Sequence, residues 1–253
     1  MKSALLHVSV PFVFCVILVN TSLFDDVTVD LSYDHYAEKP LRHLPAFLAM
    51  PFNCLVNAAY LCVALYWLLP PPPAGAREPQ RSRYIREVFA LMLLFYAPVQ
   101  WTRLALLRRA PAVLDQWMTL PIVAWVPVWI GFIERGWSAP RAAALELCSV
   151  LSYGLALAHE RGFEAALGGH LLLATYGAVR VQLLRGDGRS RTYLLLAALS
   201  CCGFVGLKLL DHRLAQYGAF QTLTGHFWSK VCDVLQFHFS SCFLSTLTPQ
   251  RDL

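Results

Sequence analysis

Apolar residues run along this chain in eight long blocks, at residues 4–24, 46–69, 87–106, 113–133, 142–159, 165–184, 192–210 and 219–246. At 1.5 Å per residue, a helix of about 20 residues covers the roughly 30 Å hydrocarbon core of a bilayer. Lipid offers no partner to a free N–H or C=O, so each block is expected to be helical, with its backbone bonds satisfied within the segment. A β-barrel would show alternating segments of about ten residues, whereas these runs are continuous. The pattern predicts an all-α polytopic membrane helix bundle, one domain over residues 1–253, with eight candidate spans. Blocks 142–159 and 165–184 are short, polar-edged and joined by HERGFE. The count falls to seven or six if that pair is re-entrant or if block 4–24 is removed.

The first block follows Lys2 and continues into NTSLFDDV with no A-x-A-like cleavage site, so a retained anchor is expected rather than a signal peptide. Asn20-Thr21-Ser22 matches the glycosylation sequon, with Asn20 at the membrane edge, where it is poorly reached. Residues 25–45 form the longest polar stretch, and the four prolines at 70–73 cannot propagate a helix. With a cytoplasmic N-terminus and eight crossings, the cytoplasmic loops hold 11 Lys and Arg against 6 on the other side. Positive charge orients membrane helices in that sense, which puts residues 25–45 outside.

Composition narrows the classes. The chain is 57% hydrophobic and 15% charged, with a mean hydropathy of +0.49; soluble domains are about 45–50% apolar and about 25% charged. Composition counts against a soluble enzyme, a disordered chain and a nucleic-acid binder. The net charge of +5 reflects the loop bias. The eight cysteines lie mostly inside apolar blocks and no CxxC occurs, which argues against a disulfide scaffold and a cysteine metal site. GxGxxG, P-loop, HExxH and GxSxG motifs are absent. Pro51, Pro98, Pro121 and Pro127 fall in blocks two to four without counterparts in the second half, which counts against an inverted-repeat transporter.

The candidate chemistry lies inside the blocks. A charge at mid-bilayer costs about 2.5–3.5 kcal/mol on insertion scales, so such groups face the bundle interior or a cavity. The last block carries His226, Ser229, Lys230, Asp233 and His238. Residues 226, 230 and 233 share a helix face, and Lys230 and Asp233 are expected to pair within the helix. Asn53 and Asn57 sit at i and i+4 on block two. Asp115 and Gln116 open block four, either as an interfacial cap or as an anionic group facing a cavity. Under this topology Asn53, Asp115 and His226 lie in the same outer half of the membrane and three helices can present them to one pocket. Two readings stand side by side: a packing network between helices, or a catalytic, ligand or ion site. Asp211 and His212 read as interfacial, Glu146 and His170 as helix contacts. Trp101, Trp117, Trp125, Trp129 and Trp228 read as interface anchors and packing groups.

The strings YDHYAEKP, LPAFLAMPFN, VLDQWMTLP, SYGLALAH and TGHFWSKVCDVLQFHF resemble the transmembrane protein 187 family, an uncharacterised multi-pass family. That resemblance supplies no activity. A second resemblance is to the alkaline ceramidase-like superfamily of seven-helix zinc hydrolases, which implies a seven-helix core plus the N-terminal helix. Met50 to Asn57 is similar to its first core helix, with Asn53 and Asn57 kept. Leu114 to Met118 is similar to the start of its third, with Asp115 kept and Gln116 in place of a Glu. His226 to Lys230 is similar to its last helix, with Lys230 at the second zinc-ligand position. Three histidines are implied and only His226 remains, while a lysine repels a metal, so no cofactor is expected and zinc is disfavoured. His238 or Asp233 could replace a missing ligand only off the i+4 position. The scaffold then reads as one with a repurposed site, in which Lys230 stands where zinc would and pairs with Asp115 or Asp233.

The expected function is a non-catalytic lipid-binding or structural membrane protein whose partners are membrane lipids and other membrane proteins, not nucleic acid. Asn53, Asn57, Asp115, His226, Lys230 and Asp233 are the candidate binding set. A divergent lipid-amide or ester hydrolase, with Asp115, His226 and Lys230 as its candidate catalytic groups, is the alternative; a transporter or channel is the second. The short spans point to an internal membrane such as the Golgi.

Overall fold

The structure, a computed structural model, describes residues 1–41, 43–69 and 78–248. The proline run at 70–73 and the tail after Thr248 lie outside the described residues. Every described regular element is a helix or a single 3-10 turn. The eight blocks become α1 (Lys2–Val19), α2 (Pro51–Leu68), α3 (Gln80–Leu106), α4 (Arg109–Arg135), α5 (Ala139–Ser152) with its continuation α6 (Leu155–Ala158), α7 (Gly162–Arg185), α8 (Gly188–Leu209) and, after the one-turn α9 (Asp211–Leu214), α10 (Gly225–Leu247). Six of these segments are long and apolar enough to cross a membrane: α1, α2, α3, α4, α5 with α6, and α8. Helices α7 and α10 match them in length, at 24 and 23 residues, but carry His170 and Arg180, and His226, Lys230, Asp233 and His238, which dilute their apolar windows.

Local chemistry sets the ends. Pro51 opens α2 in its first turn, where a missing N–H costs nothing. Gly136, at φ +76°, ends α4 in a backbone region that side-chain-bearing residues avoid. An Asp187–Ser190 capping box starts α8, and the Ser190 N–H, donating to Asp187 Oδ1 at 2.7 Å, holds the Asp187 carboxyl below its ordinary value. Block 219–246 becomes helical only at Gly225, because Thr224 caps that turn and residues 218–220 form a separate 3-10 turn.

Helices α3 and α4 form the centre. Helix α1 lies against both; α2 packs on α3, and α5 and α7 flank α4. Helix α10 packs along α2, and α8 is attached chiefly to α10. Between membrane helices the apolar effect is weak, and packing and interhelical hydrogen bonds hold the assembly. The tryptophans show how. Trp117, Trp125 and Trp129 are core residues, with indole N–H groups donating to Val150 O at 2.9 Å, Ile85 O at 2.9 Å and Thr248 Oγ1 at 2.8 Å. Trp101, donating to Phe47 O at 2.7 Å, and the partly exposed Trp228 keep the anchor-like positions. Helix α1 is a full member of the bundle: Ala4, Val8, Cys15 and Val19 are buried, and Phe12 meets Phe95 edge-on at 5.0 Å.

The polar stretch 25–45 is not a free loop. Its middle folds over one end of the bundle, supplies acceptors to the N-terminus of α2 and donates to the residue that caps α10. Glu38 Oε1 and Oε2 accept from the N–H groups of Phe52 and Asn53, both at 2.9 Å. Burial pushes the Glu38 carboxyl above its ordinary value, against the pull of those two donors. Asp211, read from sequence as interfacial, is buried, and its carboxylate accepts from His226 N at 2.7 Å and Ala37 N at 2.9 Å. It thereby ties the polar stretch to the start of α10. Removing it leaves two N–H groups unmatched, at about 1–3 kcal/mol for each buried one. Thermal unfolding in detergent is expected to rank wild type above Asp211→Asn, which keeps one acceptor oxygen, and Asp211→Asn above Asp211→Ala.

Candidate functional site

Beneath that strap, four helices turn polar side chains toward one another. Helix α2 buries Asn53, Asn57, Tyr60 and Ala64, a stripe at steps of three and four. Helix α3 brings Gln100 and Arg103, also one face. Helix α4 brings Asp115 and Thr119, and α10 brings His226, Lys230 and Asp233. The strap adds Tyr36, whose ring meets the His226 ring edge-on at 4.7 Å.

The partners differ from those expected. Arg103 Nη1 donates to Asp115 Oδ2 at 2.5 Å, a pair that joins α3 to α4. Asp115 is therefore not an interfacial cap: α4 begins at Arg109, so Asp115 lies nearly two turns inside it. Lys230 donates to Gln100 Oε1 and sits 5.8 Å from the Tyr60 ring centre. Asp233 accepts from the Tyr60 hydroxyl at 2.5 Å. Lys230 and Asp233 thus do not pair within α10, because one reaches α3 and the other α2, and Lys230 pairs with neither aspartate. Asn57 does not bridge helices either: its Nδ2 donates to Asn53 O at 3.0 Å and Cys54 O at 3.2 Å, on its own helix.

What remains unmatched defines the site. Asn53 Oδ1 and Nδ2, Asn57 Oδ1, Gln100 Nε2 and Asp115 Oδ1 are buried without a hydrogen-bond partner. The four side chains belong to residues at most 8% exposed. Such atoms cost about 1–3 kcal/mol each if nothing meets them. Arg103 and Lys230 stand among them with Asp115 and Asp233, and the Glu38 and Asp211 carboxylates reach in at the backbone of Asn53 and His226. This polar cluster between the four helices, the chamber, offers unmatched amide donors and acceptors, which suits a polar group.

A metal does not fit. Among the described residues no group of three or more His, Cys, Asp or Glu side chains could hold one. His226 and His238 are twelve residues apart on α10, about 18 Å along its axis. His238 lies instead beside Cys242, at 3.6 Å, and between the rings of Tyr66 and Trp67. Catalytic zinc wants three protein ligands and an open position.

The other polar residues are helix contacts. His170 bonds Ser149 Oγ at 2.9 Å, joining α7 to α5, and Glu146 meets His7 Nε2 at 2.6 Å, joining α5 to α1. Asn20 is exposed at the end of α1, its amide donating to Val16 O at 2.7 Å. Sequence reasoning missed Arg103, Gln100, Tyr36 and Tyr60. Arg103 was within reach: a buried aspartate on one span calls for a counter-charge, and Arg103 lies inside the preceding block.

A family model described as the TMEM187 protein family matches residues 4–245, from the first turn of α1 to near the end of α10. The chain belongs to that family. Transmembrane protein 187 of Bos taurus is 52% identical over 246 residues, which cover 96% of this chain and 96% of the relative. Transmembrane protein 187 of Homo sapiens is 52% identical over 242 residues, covering 96% of this chain and 91% of the relative. No solved structure matches. For this TMEM187 family member, then, the relatives' names speak of the membrane, and the chamber's chemistry has to speak for the rest.

Proposed function

We propose that the protein is a non-catalytic lipid-binding membrane protein that takes the polar head of a lipid into the chamber between α2, α3, α4 and α10. The observation that carries this reading is the set of unmatched buried atoms on Asn53, Asn57, Gln100 and Asp115, gathered between four helices. In a bilayer the molecules at hand to meet them are water and lipid heads, and amide donors and acceptors together favour a head with hydroxyl or amide groups. A structural role alone would leave those atoms as pure cost. The ceramidase-like hydrolase reading asks for a zinc ligand set that these residues do not make.

The N-terminus faces the cytoplasm in this reading. Arg81, Arg83, Arg135, Arg141, Arg189 and Arg191 stand at the helix ends that share the Met1 side of the bundle, while Asp25, Asp26, Asp30 and Asp34 stand at the other. Helices α1 and α2, at 18 residues, are about 27 Å long, which supports a thin internal membrane such as that of the Golgi.

The test is mass spectrometry of lipid retained by full-length protein purified from nanodiscs containing ceramide and phospholipids. Wild type is expected to hold one lipid species intact. Lys230→Met with Asn57→Leu is expected to lower its retention at least about tenfold, or about 1.4 kcal/mol. Equal retention by the variant overturns the binding reading. Accumulated fatty acid and free sphingoid base overturns it in favour of hydrolysis.

A further inference from the structure

A second feature lies at the opposite end of the bundle and shares no residue with the chamber. A cavity of about 340 Å³ opens between α4 and α5, within the roughly 300–1,000 Å³ range of small-molecule sites. Its walls are apolar, with Val128, Gly131 and Phe132 from α4 and Leu145 from α5. It reaches from Gly136 back to Pro127 on α4, and from Ser138 forward to Cys148 on α5. At 1.5 Å per residue these are runs of about 14 and 15 Å, the depth of one leaflet of a roughly 30 Å hydrocarbon core.

The mouth is cationic. Arg135 and Arg141 line it, and Arg81 stands 5.9 Å over the ring of Trp137, another lining residue. The acids near this end are engaged elsewhere. Glu134 is bonded by Arg180, leaving Arg135 a long 3.8 Å contact. Glu78 pairs with Arg86 at 2.7 Å, Glu87 with Arg83 at 2.7 Å, and Glu146 with His7 at 2.6 Å. Arg141 makes no ion pair among the described residues. Helix α5, 14 residues long, begins at the same mouth without a side-chain cap, which adds the positive end of its dipole. Arg141, without an ion pair, and Arg135, with only its long contact to Glu134, stand above an apolar slot one leaflet deep and match a molecule with an anionic head and a hydrocarbon chain. Basic pockets between membrane helices recognise anionic lipid heads in this way.

We propose that the α4–α5 groove binds an anionic glycerophospholipid, its acyl chain beside Gly131 and Leu145 and its phosphate at Arg135 and Arg141. The proposal stands whether or not the chamber binds lipid.

Native mass spectrometry of the delipidated full-length protein, titrated with phosphatidylserine or phosphatidylcholine in mixed micelles, tests it. Phosphatidylserine is expected to be retained and phosphatidylcholine not. Arg135→Gln with Arg141→Gln, both at exposed helix-end positions, is expected to lower phosphatidylserine retention at least about tenfold with an unchanged thermal midpoint. Leu145→Trp, which fills the slot from the α5 wall and leaves both arginines, is expected to lower it as well. If that variant does not fold, Ala144→Leu fills it from the same wall. Arg213→Gln, an exposed arginine of α9 at the far end of the bundle, is expected to leave this retention unchanged, which separates the groove from general surface charge. Equal retention of phosphatidylcholine, wild-type retention by the arginine pair variant, or displacement by inorganic phosphate alone overturns the proposal.

Discussion

Asp115→Ala is expected to destabilise the protein by about 3–5 kcal/mol, the cost of breaking a buried ion pair by removing one partner. The substitution leaves the Arg103 guanidinium, 18% exposed at its side chain, with no carboxylate beside it in the interior. Arg103→Gln strands the aspartate instead and is expected to cost a similar amount. The double variant Arg103→Gln/Asp115→Asn removes both charges and is expected to recover much of the loss, because neutral amides can bond each other. Chemical denaturation of the four proteins in detergent closes the cycle. Additive losses would mean that the pair does not couple, and the chamber's charge balance would then have to be redrawn.

Trp125→Ala is expected to cost about 3–5 kcal/mol, as large aromatic truncations in packed cores do. Trp125 has no exposed surface, its indole N–H is spent on Ile85 O, and its ring meets His7 edge-on at 5.3 Å. It therefore holds α4 to both α3 and α1. Trp125→Phe keeps a six-membered ring but loses the donor and part of the buried ring, with an expected smaller cost of about 1–3 kcal/mol. Thermal midpoints of the two variants measure what the retained ring contributes. Equal losses would mean that the retained ring contributes nothing.

The helices were legible because lipid leaves the backbone so little choice: long apolar runs become helices, and all eight did. The ends were less legible. Helix α10 waits until Gly225, where the Thr224 cap and an acceptor on Asp211, fourteen residues before Gly225 in sequence, meet its first N–H groups. Helix α4 begins at Arg109, before its apolar run, which is why Asp115 lies inside it and not at its cap. The candidate residues were also legible, since a charge in a greasy run declares itself. Asn53, Asn57, Asp115, His226, Lys230 and Asp233 do face one region. Their partners were not. Gln100 and Lys230 are 130 residues apart, and Tyr60 and Asp233 are 173 apart. Helical spacing ranks neighbours on one helix only, so it favoured a Lys230–Asp233 pair that loses to contacts across the bundle. Nor does a polar loop of 21 residues announce that Tyr36 and Glu38 will be drawn down onto helix ends.

The bond between His7 and Glu146 has a consequence for how the protein is made. His7 sits within the first two turns of α1, and its partner is encoded 139 residues later. Its other ring nitrogen meets the Tyr84 hydroxyl at 2.7 Å, 77 residues downstream. At a synthesis rate of about 5–20 residues per second, the nascent first helix waits on the order of ten seconds for α5 to emerge. For the first part of that interval, until Tyr84 emerges, its histidine has neither of these companions from its own chain. The insertion machinery must therefore shelter this helix, or hold it at the bilayer surface, until translation delivers the segment that completes it.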